Sequence, residues 1–113
     1  MCGVIGVALN NVTEEDIKLV KNLFLESMIR GKHATGITYL KEDDLVTVKK
    51  PIPATHFLQT FNIEDCVEHG KLRLIGHIRY STSDLKHNQP FSNDEFSIAH
   101  NGVISQDPDI WEF

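Results

Sequence analysis

GVIGVAL, residues 3–9, is short and apolar on both faces, and Asn10-Asn11 closes it. A run of that length predicts a buried strand. Thr13 follows as a helix N-cap, with Glu14, Glu15 and Asp16 in the first turn, where the macrodipole favours negative charge. Ile17, Val20, Phe24 and Met28 recur at steps of three and four, which makes one apolar helix face. Arg30-Gly31 ends this helix, with Gly31 as the expected C-cap.

GITYLK (36–41) and LVTVKK (45–50) flank Glu42-Asp43-Asp44 and predict a β-hairpin with an acidic turn. Pro51 and Pro53 stop its second strand. Residues 54–69 predict one or two short helices. LRLIGHIRY (72–80) predicts a strand, residues 81–90 a polar loop, and FSIAH up to His100 a further strand running into Asn101-Gly102. Pro108 to Phe113 reads as the start of a helix. Helices mixed with hairpin-connected strands imply an α+β fold. The chain has 113 residues, enough for one small domain.

The net charge is -5, from 11 basic and 16 acidic residues. That balance argues against electrostatic binding of nucleic acid or an anionic membrane, since no Lys/Arg cluster can neutralise a row of phosphates. Lys49-Lys50 is the longest basic run and reads as a solvated strand end. No apolar stretch approaches a membrane span and no signal peptide is visible. Two cysteines, Cys2 and Cys66, do not make a disulfide framework. A reducing, cytoplasmic setting is therefore expected, where the Asn11-Val12-Thr13 sequon is a chance match. The histidines at 33, 56, 69, 77, 87 and 100 lack metal-ligand spacing, so no metal site is expected. His77 and His100 read as buried structural histidines, and Cys66 as a core thiol.

Cys2 is the first residue with chemistry to offer. Removal of Met1 would leave it with a free α-amine of pKa roughly 7.7–8.0 beside a thiol of about 8.5. Nucleophile and base then share one residue at matched strength. Taken alone, Cys2 reads more readily as a small core residue. Asn101-Gly102 is a strong turn signal, yet the same pair can present a side-chain amide and a backbone N–H to a developing oxyanion. Arg79 ends a strand beside Ser81, Thr82 and Ser83. Its guanidinium suits a two-pronged clamp on a carboxylate, and equally a surface ion pair.

Together these features form blocks: MCGVIGV at the start, RGKHATGI (30–37), IGHIRYSTS (75–83), NQPF (88–91) and IAHNGVI (98–104). In that order they resemble the class II, N-terminal-nucleophile glutamine amidotransferases. The RYST and QPF wording is closer to the amidophosphoribosyltransferase branch than to the glucosamine-6-phosphate synthase branch. The resemblance runs from residue 2 to about 104, so residues 1–113 are expected to be the N-terminal part of a glutaminase domain.

That resemblance implies a four-layer α/β/β/α sandwich of antiparallel sheets, incomplete at its C-terminus here. It implies hydrolysis of L-glutamine to glutamate and ammonia through a thioester on Cys2, with the Cys2 α-amine as base. Asn101 and Gly102 take the oxyanion hole. Arg79 takes the α-carboxylate, with Thr82 as a helper and Tyr80 as the aromatic residue beside the arginine. Arg30 and Gly31 support the first strand. No cofactor is implied. A synthase or transferase domain or subunit is implied as acceptor of the ammonia, and the family's aspartate for the substrate α-amine falls beyond the last residue. Asp107 and Asp109 are too near Asn101 to stand in for it. The alternative is a catalytically idle glutaminase-like binding or regulatory module. A third reading, an N-terminal-nucleophile hydrolase of another amide, fits Arg79 less well.

Overall fold

The computed structural model describes residues 2–80 and 88–101. Its elements run β1 (Gly3–Leu9), α1 (Glu14–Ser27), β2 (Ala34–Lys41), β3 (Asp44–Lys50), α2 (Ala54–Thr60), a 3-10 turn (Ile63–Cys66), β4 (Leu72–Arg79), β5 (Phe91–Ser92) and β6 (Ser97–Ile98). This is an α+β fold with antiparallel sheets. One has four strands in the order β1-β4-β2-β3, and the other is the pair β5-β6.

Registers and side-chain alternation divide the larger sheet into two faces. Ile5, Leu74, Ile78 and Ile37 point to one face, where they join Ile17, Val20 and Phe24 of α1 in the core. Phe24 is fully buried, and its ring occupies the space over Gly76 that any side chain there would need. Burying a residue of that size contributes roughly 1.5–3 kcal/mol. Phe57 of α2 and Ile63 and Cys66 of the 3-10 turn complete this layer. Thr35 ties the sheet to the stretch before α2 by donating from Oγ1 to the Ile52 carbonyl, 2.9 Å.

Thr13 caps α1 as expected. Its side chain accepts from the Asp16 N–H and its own N–H donates to Asp16 Oδ2, a reciprocal capping box worth on the order of 1 kcal/mol. The helix ends earlier than the sequence suggests, at Ser27 with Met28 as C-cap. Residues 28–31 continue as tight turns, with Arg30 N–H on Ser27 O and Gly31 N–H on Met28 O. Gly31 is therefore not the helix cap. It is glycine because the Arg79–Tyr80 backbone lies where a side chain would go. The hairpin turn is also shorter than expected, Glu42-Asp43 alone. Both residues have positive φ (53° and 64°), as a two-residue turn of matching twist requires.

β1 is not buried on both faces. It forms an edge of the sheet, so Val4, Gly6 and Ala8 face outward and Val4 keeps 48% of its surface. The β5-β6 pair lies on the other face of the larger sheet, over β2 and β3. There Thr38, Thr47, Ser92 and Ser97 form a ring of hydroxyls with separations of 2.7–3.2 Å. The layers thus run helices, four-stranded sheet, two-stranded sheet. The strand expected over 96–100 shrinks to Ser97–Ile98, and its partner Phe91–Ser92 was not anticipated. The helix start expected at 108–113 lies outside the described residues.

Candidate active site

β1 and β4 run antiparallel with Gly3 opposite Ile78. Cys2 lies one residue before that pair and Arg79 one residue after it, so the register brings both to the same end of the sheet. β2 joins them there, with Ala34 opposite Arg79. The 28–33 segment supports this end from the side: His33 N–H donates to the Arg79 carbonyl (3.0 Å) and the His33 and Tyr80 rings lie 5.1 Å apart. This accounts for the RGKHATGI block in physical terms, as packing behind the Arg79–Tyr80 backbone.

Asn101 arrives from the far end of the chain. The Cys2 backbone N–H donates to Asn101 Oδ1 at 3.3 Å, across 99 positions of sequence. That nitrogen becomes the α-amine if Met1 is removed. Cys2 and Asn101 both line one cavity, of about 550 Å³, together with Gly3, Val4, Ser27 and Arg30 among others. A second cavity of about 400 Å³ lies between the larger sheet and β6, against Leu40, Leu45, Ile75 and Phe96. It holds neither cysteine.

Arg79 donates from Nη1 to Asn88 Oδ1 at 2.8 Å, and Asn88 is buried. Asn88 is a site residue that the sequence reading passed over. It falls in the NQPF block, but nothing in the sequence shows that its side chain folds back nine positions onto the guanidinium. Gln89 is a second: its Oε1 accepts the His100 backbone N–H at 2.6 Å. The Gln89–Pro90 peptide is cis, and the Gln89 carbonyl sits directly over Gly36.

His77 is buried as expected, with 1% of its surface exposed. Burial, first of all, lowers its pKa below the usual histidine value; the neighbouring charges of Arg79 and His100 act in the same direction. A hydrogen bond to the His100 backbone opposes them. Its Nε2 has no hydrogen-bond partner among the described residues. His100 corrects the expectation: it is exposed, and its backbone N–H donates to Gln89.

The two thiols differ. Cys66 is fully buried, and desolvation together with nearby Asp65 pushes it up to about 12. It stays protonated near neutral pH, as an inert core thiol does. Cys2 is partly buried and lines the cavity.

Of the residues expected in the site, Cys2 and Asn101 are in contact and line the cavity, whereas Arg79 and Tyr80 lie at the same end of the sheet but do not line it. Gly102 and Thr82 lie outside the described residues, as do Asp107 and Asp109. Among the described residues no group of His, Cys, Asp and Glu is arranged to hold a metal ion, and no helix is long and apolar enough to cross a membrane. Comparison of the chain with protein-family models, with curated proteins and with solved structures finds no match.

Proposed function

We propose that this chain is a glutaminase of the class II amidotransferase type, acting through Cys2 once Met1 is removed. The observation that carries the proposal is the hydrogen bond between the Cys2 nitrogen and Asn101 Oδ1. Residues at opposite ends of the sequence meet at the two atoms that such a mechanism couples.

The chemistry follows from that geometry. A free Cys2 amine that donates one N–H to Asn101 has its lone pair directed elsewhere, available to take the proton of its own thiol. Sγ then attacks the side-chain carbonyl carbon of glutamine. The carbonyl oxygen gains negative charge, and the Asn101 NH2 can donate to it. Collapse of the adduct expels the amide nitrogen, which leaves as ammonia with the proton carried by the α-amine. The γ-glutamyl thioester remains, and water hydrolyses it to glutamate and a free thiol. Arg79 offers the planar fork that a free α-carboxylate requires. Helices on one face and a second antiparallel sheet on the other fit three layers of an N-terminal-nucleophile sandwich. The ammonia acceptor would be a synthase or transferase domain or subunit.

The test is a pair of measurements on the purified protein. Mass spectrometry is expected to find Met1 removed. Ammonia release from glutamine and labelling by a γ-glutamyl diazo-ketone are expected in the natural chain and lost in Cys2→Ala. Labelling at Cys66 with Cys2 untouched would overturn the assignment.

A further inference from the structure

We infer that Asn88 and Gln89 form a positioning hub that sets the two halves of the site against each other, one side chain for each half. The inference rests on the glutaminase reading for its functional consequence and on geometry for its existence.

Asn88 serves the β4 half. Its Oδ1 accepts from Arg79 Nη1 at 2.8 Å in a buried setting, which fixes the direction of the guanidinium fork. An amide oxygen does this without adding negative charge beside the arginine. An aspartate of the same size would bring a carboxylate that competes with a substrate carboxylate for the same fork.

Gln89 serves the other half. Its Oε1 takes the His100 N–H at 2.6 Å, one peptide before Asn101. The main chain of the hub is itself registered, because the Gln89 carbonyl rests on Gly36 where no side chain fits. Arg79 ends β4, whereas Asn101 lies three residues beyond the end of β6. Two adjacent residues therefore link the group that would bind the α-carboxylate to the group that would stabilise the oxyanion.

The two side chains should leave opposite kinetic signatures. Asn88→Leu removes the acceptor behind Arg79 and is expected to raise KM for glutamine about tenfold with kcat little changed, as loss of one charge-assisted hydrogen bond implies. Asn88→Asp should raise KM as well, by competition. Gln89→Met keeps the length of the side chain but not the acceptor. It is expected to lower kcat about tenfold with KM little changed, since a misplaced oxyanion donor acts only in the transition state. Gln89→Glu retains an acceptor and should restore most of the turnover.

Amide hydrogen exchange supplies a readout that does not need catalysis. Gln89→Met should speed exchange at His100 about tenfold or more, while Asn88→Leu should not. If the natural chain is inert toward glutamine, the glutaminase reading fails, and exchange at His100 alone then decides the Gln89 contact. If the natural chain is active but both variants lower kcat and raise KM alike, or His100 exchange is unchanged in Gln89→Met, the hub is wrong.

Discussion

The larger sheet and the 88–101 segment are held in place by different physics. The sheet is fixed by apolar burial: Phe24, Phe57, Ile37, Ile63, Leu72 and Ile78 expose none of their surface. In the 88–101 segment the large apolar side chains remain open, with Phe91 45%, Phe96 59% and Ile98 56% exposed. What holds it is polar: the hydroxyl ring beneath β5 and β6, Asn88 on Arg79, and Gln89 on His100. Apolar burial is non-directional and fixes a layer as a whole. Hydrogen bonds are directional and fix individual atoms. The segment that carries Asn101 to Cys2 uses the second kind, which suits a task of placing atoms.

The strongest way to break the comparison is to remove the apolar anchor. Phe24→Ala is expected to cost about 3–5 kcal/mol of stability, a large share of what a domain of this size has. Thermal or urea unfolding checks it. A loss under about 1 kcal/mol would mean that the helix layer is not the main support of the sheet.

The next effect falls on turnover and spares the fold. Asn101→Ala removes a group whose partner is the Cys2 nitrogen and which is not part of the apolar core. Turnover of glutamine should fall about 10²–10³-fold, the loss of one preorganised donor. The midpoint of unfolding should hardly move. A marked rise in KM with kcat intact would instead make Asn101 a plain turn residue.

The same division explains what the sequence disclosed. Periodicity located β1, α1, the β2-β3 hairpin and β4, because an apolar stripe records burial in the residue types themselves. It also marked Ile17, Val20 and Phe24, all buried in the structure. It misjudged β1 because strand position in a sheet is not written in the strand: GVIGVAL is apolar throughout, yet it lies at an edge. FSIAH misled on length: the strand read over 96–100 keeps only Ser97–Ile98. Cys2, Arg79, Tyr80 and Asn101 were legible only as members of ordered blocks. Asn88 and Gln89 stayed hidden because a polar side chain shows its partner only in three dimensions. Gly31 was read as a helix cap and as support for the first strand, whereas it packs against the Arg79–Tyr80 backbone at the end of β4.

Acidity probes the boundary between the two regions through His77, which lies on β4 beneath the His100 backbone. Burial lowers its folded pKa below the usual 6.5. The unfolded chain therefore takes up a proton at that position before the folded chain does, and stability falls as pH drops below about 6.5. Glu64 acts later. Its hydrogen bond from Lys21 lowers its folded pKa, so its small, exposed contribution is lost only as pH falls below about 4.5. Unfolding measured between pH 7 and 5 should show a slope that His77→Gln flattens. An unchanged slope would exclude His77 as its source.

The smallest expected effect is the most discriminating. Thr38 is 2% exposed and its Oγ1 lies 2.8 Å from Thr47, 3.2 Å from Ser92 and 2.9 Å from Ser97. Thr38→Val keeps shape and volume while removing the hydroxyl that joins β2 to both strands of the hairpin. Ser92 still reaches Thr47 and Ser97, so the ring opens without leaving every member unpaired. The net cost should be about 0.5–1.5 kcal/mol, the ordinary worth of a hydrogen bond. Where that cost appears is the question. If polar contacts hold the hairpin as a separate unit, amide exchange should quicken at Asn93, which bonds Phe96 across the hairpin, and at His100. It should stay unchanged at Ile37 and Ile78 in the sheet, because local openings need not pass through global unfolding. Exchange that quickens equally at all four amides would show that hairpin and sheet open together, and the contrast between the two regions would then be one of contacts but not of cooperativity.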